Sequence, residues 1–341
     1  MTEPPSPLRM LFSRHTRRRD FITLVGGAAA GWPLSARAQQ PSGKIWRIGV
    51  LGSRSTVVFN IGYAAFIDEL RKLGFTEGRN LVVEYHPTDE GRGVAFAAAA
   101  EMVRSNVEVI VAAGAEFNLQ AALAASPTIP IVIIAVAYDP IARGYVASLA
   151  RPGGNITGLF HREPDLARKR VELMREAFPE KTQLAVLWDA ITSEQFEAAK
   201  RTAESLNLQL HSVKLENSPY DFEAAFRAMA DAQMLLVLSS YLFSSSRSRL
   251  AELAIKQRLP TMTSFKAYAD AGGLMSYGVD LLPIYRRAAS FVAKILQGVK
   301  PADLPVEQPT KFEFVINLKT ARAIGIDLPT SILLRADEVI E

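Results

Sequence analysis

The chain has 341 residues, 49% of them hydrophobic and 22% charged, with no cysteine; this rules out disorder, disulfides, thiolate zinc and iron–sulfur centres. Its formal charge of +4 belongs to residues 1–38, where Arg9, Arg14, Arg17, Arg18, Arg19 and Arg37 face only Glu3 and Asp20. The remainder balances to zero and offers no overall attraction to phosphate, which argues against nucleic acid as a partner.

The first element reads as an address. Arg17-Arg18-Arg19 precedes a short, weakly apolar stretch from Phe21 to Trp32, and Ala36-Arg37-Ala38 has the small-x-small form of a cleavage site. The order R-R-x-F-I at Arg18–Ile22 resembles a twin-arginine signal. An uncleaved anchor is the competing reading, but the apolar run is short of the roughly 20 residues a bilayer requires. A soluble periplasmic protein beginning near Gln39 is expected, with residues 1–38 removed.

From Lys44 onward, short β-branched runs alternate with amphipathic stretches, which predicts an α/β protein with parallel sheets. Strands are expected at Ile45–Leu51, Leu81–Tyr85, Val107–Ala112, Ile129–Ala135 and Ile156–Phe160, and helices at Asn60–Leu73, Val94–Arg104 and Phe117–Ala125. A second series repeats the architecture: helix Asp165–Ala177, strand Gln183–Trp188, helix Glu194–Leu206, strand Leu208–Leu215, helix Asp221–Ala230, strand Met234–Leu238, helix Ser246–Arg258, and strands Thr261–Thr263 and Leu274–Tyr277. After Tyr277 the rhythm breaks. A helix at Leu282–Gln297, a stretch punctuated by Pro301, Pro305 and Pro309, and a strand and helix over Phe312–Ala323 suit a tail returning to both lobes better than the closing units of an eight-fold barrel. Lobe one is assigned residues 44–162 and 279–309, and lobe two residues 163–278 and 310–341.

Enzyme signatures are missing: there is no G-x-G-x-x-G, P-loop, G-x-S-x-G or H-E-x-x-H. His86, His161 and His211 lack ligand-like spacing and read as strand-end or surface residues. Neither a metal nor a cofactor is expected, and no catalytic residue is assigned. Open α/β sheets bind ligands at the carboxyl ends of their strands. The loops there are Gly52–Ser55, Ala113–Phe117, Val136–Asp139, Asp189–Thr192 and Ser239–Phe243. Asp139, followed by Pro140, and Asp189 read equally well as helix caps, and Tyr138 and Tyr241 equally well as hinge or core aromatics.

Three blocks carry a family likeness: S-L-A-R-P-G-G-N-I-T-G at Ser148–Gly158, G-G-L-M-S-Y-G at Gly272–Gly278, and the stretch from Pro301 to Phe312 with Asn317–Ala321. They resemble the ABC transporter substrate-binding proteins of the tryptophan/tyrosine type, and the similarity spans residues 17–341. The resemblance implies a type I periplasmic binding protein fold, with two doubly wound parallel-sheet lobes joined by three crossing segments. It also implies a small organic ligand held in the cleft and delivered to an inner-membrane permease and its ATPase. The loop after the third strand departs from the family, which usually offers glycine and a Ser or Thr there to suit a carboxylate. Here it reads Ala115-Glu116-Phe117, and a Glu116 facing the cleft would oppose an anion; with Glu116 pointing away, the backbone N–H groups near Gly114 are expected to hold an anionic end.

With both lobes facing one cleft, the expected ligand contacts are Ser53, Gly114, Ala115, Tyr138 and Asp139 from lobe one, Asp189, Ser239 and Tyr241 from lobe two, and Tyr277 at a crossing segment. Tyr138 and Tyr241 are expected to sandwich a planar group. Asp139 or Asp189 is expected to pair with an amino group. The protein is expected to be monomeric. An extracytoplasmic sensor for a membrane signalling protein would use the same cleft, and a hydrolase or isomerase on these lobes would need turnover to reveal it.

Overall fold

The computed structural model describes residues 43–54, 57–136, 138–216 and 219–341; the leader lies outside them, as do Ser55 and Ala137 of the predicted loops. Five strands open the fold: β1 (Trp46–Gly52), β2 (Leu81–Pro87), β3 (Val109–Gly114), β4 (Ile131–Val136) and β5 (Ile156–His161). They run parallel, in the order β5-β4-β3-β1-β2, and a two-residue strand, β11 (Val306–Glu307), joins beside β5. Nearly every side chain of β3 and β4 is buried, which is why these runs read as unbroken Val, Ile and Ala: helices cover both faces. On one face lie α1 (Val57–Lys72) and α10 (Leu281–Leu296), which pack Phe66, Leu70, Ala288, Phe291 and Val292 against the sheet. On the other lie α2 (Arg92–Arg104) and α3 (Glu116–Ala125), whose alanines permit close approach.

The second lobe holds β6 (Gln183–Asp189), β7 (Gln209–Leu215), β8 (Met234–Val237), β9 (Thr261–Thr263), β10 (Met275–Val279), β12 (Phe312–Asn317) and β13 (Glu338–Ile340), in the order β13-β12-β10-β9-β8-β6-β7. The β10–β12 pair is antiparallel and the remaining pairs are parallel. One face is covered by α4 (Glu163–Ala177), α5 (Ser193–Ser205), α11 (Leu318–Ile324) and α12 (Thr330–Leu333). The other carries α6 (Phe222–Ala228), α7 (Tyr241–Ser245), α8 (Arg247–Lys256) and α9 (Lys266–Asp270).

Three segments pass between the sheets: β5 to α4, β10 to α10, and β11 to β12. A buried ionic cluster ties the first two together. Arg170 and Glu163 are both fully buried, with Arg170 Nη1 2.9 Å from Glu163 Oε2. His161 Nε2 lies 3.0 Å from Glu163 Oε1, and Arg170 Nε donates to the Tyr277 carbonyl at 2.7 Å. Burial alone would raise the Glu163 pKa, but the Arg170 charge and the hydrogen bond from His161 outweigh it and hold the carboxyl near a pKa of about 2. His161, expected at a strand end or the surface, does end β5, and is only 3% exposed.

Gly158, in the middle of β5, has φ +133°, and a Cβ there would come within 2.2 Å of the Ile133 carbonyl oxygen on β4. That position requires glycine on both counts.

Candidate functional site

The carboxyl ends of both sheets border one cleft, with about 820 Å³ free of protein atoms and part of it open to solvent. Lobe one supplies Ser53 after β1, Thr88 after β2, Ala113, Gly114, Ala115, Phe117 and Asn118 around the start of α3, and Ile134 and Val136 from β4. Lobe two supplies Ile191, Ser239, Ser240, Tyr241, Ser244 and Phe265, and the first turns of α10 add Leu281 and Tyr285. The lining is apolar and aromatic with hydroxyls and one amide, and no described lining residue is charged. This is the usual make-up of a small-molecule site, where apolar walls supply most of the affinity and a few polar groups fix orientation.

Hydrogen bonds away from the ligand space hold the loops in place. In the loop after β1, the Ser53 hydroxyl and the Arg54 N–H both donate to the Asp89 carboxylate. In lobe two, Gln195 is buried beneath the Ser239 loop and makes reciprocal bonds to it: Ser239 N–H donates to Gln195 Oε1 at 2.9 Å, and Gln195 Nε2 to the Ser239 carbonyl at 3.2 Å. Helix α3 begins at Ala115 with no side-chain cap. In its first turn, buried Asn118 donates from Nδ2 to the Ala113 carbonyl at 2.7 Å, while its Oδ1 has no partner.

Glu116 turns toward its own lobe: its Oε1 accepts from the Tyr145 hydroxyl at 2.8 Å and lies 3.7 Å from Arg143 Nε. Arg143 also reaches Glu194 of lobe two at 2.7 Å, an ion pair that bridges the lobes at the rim of the helix α3 start. Tyr241 is half-buried, and its pKa is raised by that burial and by the negative charges of Asp189 and of Asp89, the latter on the opposite lobe.

Of the nine residues expected to contact ligand, Ser53, Gly114, Ala115, Ser239 and Tyr241 line the cleft. The other four do not. Tyr138 is 4% exposed in the core of lobe one, edge-on to Tyr145 with ring centroids 6.3 Å apart, so the expected sandwich of Tyr138 and Tyr241 does not form. Asp139 caps a turn rather than a helix, accepting from Ile141 N at 2.9 Å and Ala142 N at 3.1 Å. Asp189 is 1% exposed and accepts from Ile191 N, Thr192 N and the hydroxyls of Ser240 and Tyr220, which uses its charge inside the lobe. Tyr277 stacks on Phe312 at 6.2 Å and 18°, joining the second and third crossing segments.

The residues that were not anticipated follow two signals. Thr88 ends a parallel strand like those already singled out, and Asn118 is a polar interruption in an alanine-rich helix. Phe265 follows the end of β9 as Thr88 follows β2, while Tyr285 enters from α10, beyond the second crossing, where local sequence carries no mark.

The chain is 25% identical over 266 residues to a tyrosine-binding protein of Clostridioides difficile, covering 76% of this chain and 75% of that one. A conserved domain protein of Vibrio cholerae superposes with a TM-score of 0.79 at 26% identity, covering 87% of this chain and all of that one. An ABC domain from Streptococcus pneumonia in complex with L-Trp gives 0.78 at 24% identity with the same coverage. The sequence model described as ABC transporter substrate binding protein matches residues 59–340. With two parallel-sheet lobes closing on one cleft, the chain belongs to the ABC transporter substrate-binding protein family and has its type I periplasmic binding fold.

Proposed function

We propose that this protein is an extracytoplasmic receptor that closes on a small aromatic ligand, an aromatic amino acid or an aromatic acid of similar size, and delivers it to an inner-membrane ABC permease and its ATPase. The observation that carries this reading is the cleft wall: Phe117, Tyr241, Phe265 and Tyr285 surround a space whose described lining bears no charge. Rings of this kind favour a flat apolar guest by stacking and edge contacts worth about 0.5–1.5 kcal/mol each beyond area burial. The relative described as tyrosine-binding supports the same class. The lobes divide at 162/163, 278/279 and 309/310. Closure is a hinge motion taken up near His161–Pro164, Gly278–Leu281 and Pro309–Phe312, and ligand stabilises the closed form by its differential affinity for it.

A thermal-shift screen of the purified protein against amino acids, aromatic acids and polyols tests the ligand class, because a ligand that binds only the native state raises Tm. Stabilisation confined to the polyols overturns it. Tyr241→Ala is expected to weaken binding of the best aromatic ligand at least tenfold, about 1.4 kcal/mol, while the Tm of the unliganded protein falls by no more than a few degrees. Calorimetric titration beside thermal melts checks both. A variant that melts early yet binds normally would place Tyr241 in the core instead.

Export by the twin-arginine route accounts for the Arg18-Arg19 leader, and a monomer that acts in the periplasm is the corresponding soluble form. Among the described residues no helix is long and apolar enough to cross a membrane. Changing Arg18 and Arg19 together to lysine is expected to leave unprocessed precursor in the cytoplasm. Normal periplasmic yield in a fractionation blot argues against that route.

A further inference from the structure

Beyond Ser239, Ser244 and Phe265, which they share, the cleft adjoins a second chamber inside lobe two. About 400 Å³ there is free of protein atoms, part of it open to solvent. Its wall includes Arg247, at the start of α8, together with Thr263 and Ser264 at the end of β9. Three observations set this chamber apart from the main cleft. Arg247 brings a positive charge, whereas the described lining of the cleft has none. It donates to the Ser244 carbonyl at 3.3 Å, and no carboxylate among the described residues lies within ion-pair distance of it. Thr263 and Ser264 are 7% and 3% exposed, and their hydroxyl oxygens are buried with no hydrogen-bond partner.

A buried hydroxyl without a partner has given up its hydration for nothing, and native structures leave few such groups. An arginine and two hydroxyl-bearing residues lining one space are a fitting set for an anion with several acceptor oxygens. The opposite end of the ligand space has the reverse character. Asn118 Oδ1, fixed because its Nδ2 is committed to the Ala113 carbonyl, can only accept. A donor group is favoured at that oxygen.

We propose that the chamber is an anion subsite: it takes the carboxylate of the bound ligand, with Arg247 pairing with it and the Thr263 and Ser264 hydroxyls donating to it. The ligand class narrows to aromatic carboxylates whose other end carries a hydrogen-bond donor. The proposal rests on the aromatic-ligand reading above, and its test separates the two.

Tyrosine is compared with tyrosinol, and 4-hydroxybenzoate with 4-hydroxybenzyl alcohol, by calorimetric titration of the wild type and of Arg247→Gln. The wild type is expected to bind at least one acid tenfold or more tightly than its alcohol. Arg247→Gln is expected to erase that preference while leaving the affinity for the alcohol within about twofold. Ser264→Ala, which removes a hydroxyl that bonds to nothing in the unliganded protein, is expected to weaken the acid about threefold without lowering Tm. An acid preference that survives Arg247→Gln overturns the subsite. Failure of all four compounds to bind the wild type overturns the aromatic reading instead. The subsite is then judged with sulfate as the probe: stabilisation by sulfate over chloride at equal ionic strength that disappears in Arg247→Gln supports it, and equal stabilisation of both proteins overturns it.

Discussion

Arg170→Ala is expected to destabilise the protein by about 3–5 kcal/mol, the usual cost of stranding one member of a buried ion pair. Glu163 would keep its place at zero exposure without the guanidinium that holds it ionised, and the Tyr277 carbonyl would lose its donor. Because Glu163 is also bonded to His161 at the end of β5, the damage should reach the junction with lobe one. Chemical denaturation of the variant measures the loss; a change below about 1 kcal/mol would mean that solvent or another cation reaches Glu163. The pH dependence has a definite sign. The Glu163 carboxyl is depressed in the folded protein from its ordinary 4.5 to about 2, so its stabilisation is fully present above pH 4.5 and is lost as pH falls toward 2. Wild-type stability should therefore decline across that interval more steeply than that of Glu163→Gln in acid titrations followed by circular dichroism, and equal slopes for the two would remove the claim.

Gly158→Ala is expected to cost about 3–5 kcal/mol, summing the strain of a side chain at positive φ and overpacking against a neighbouring strand. The atoms that block the methyl group belong to the Ile133 backbone, at 2.2 Å from its oxygen and 2.6 Å from its nitrogen, so no side-chain rotation relieves the collision. Strands β4 and β5 would have to part within the first sheet, breaking a parallel pairing that runs the length of β5. A Tm within a few degrees of the wild type would show that β5 shifts more freely than its packing implies.

The alternation of elements was legible because two-sided burial demands long apolar runs in strands and 3.6-residue periodicity in helices. Strands β1 to β10 were all expected, with limits displaced by a residue or two. Strand β11, two residues long, and β13, three residues, are too short to carry any periodicity. The site was half legible for a specific reason. Topology says that loops at strand ends face the cleft, but whether a side chain points outward depends on partners distant in sequence. Asp189 turns inward because Ser240 lies 51 positions on and Tyr220 31 positions on, and both donate to it. Glu116 turns away because Tyr145 and Arg143 draw it. Arg170 gave no local sign at all, since its carbonyl partner lies 107 residues downstream. The glycines of the family blocks were visible as residues, but the requirement for glycine at position 158 appears only when β4 lies against it.

Helix α10 fills the core of lobe one with Phe291, Val292 and Leu296, yet it follows every strand of lobe two but the last two. A chain emerging from the ribosome thus completes β6 to β10 before the first sheet receives the helix that covers one of its faces, and Arg287 of α10 then clamps β11 through a two-point pairing with Glu307. Loop closure over such separations slows folding, and uncovered sheet faces in the interval invite association between nascent chains. Synthesis halted just after Val279 should leave a sticky, protease-sensitive intermediate, and the last sixty or so residues convert it into two finished lobes at nearly the same moment.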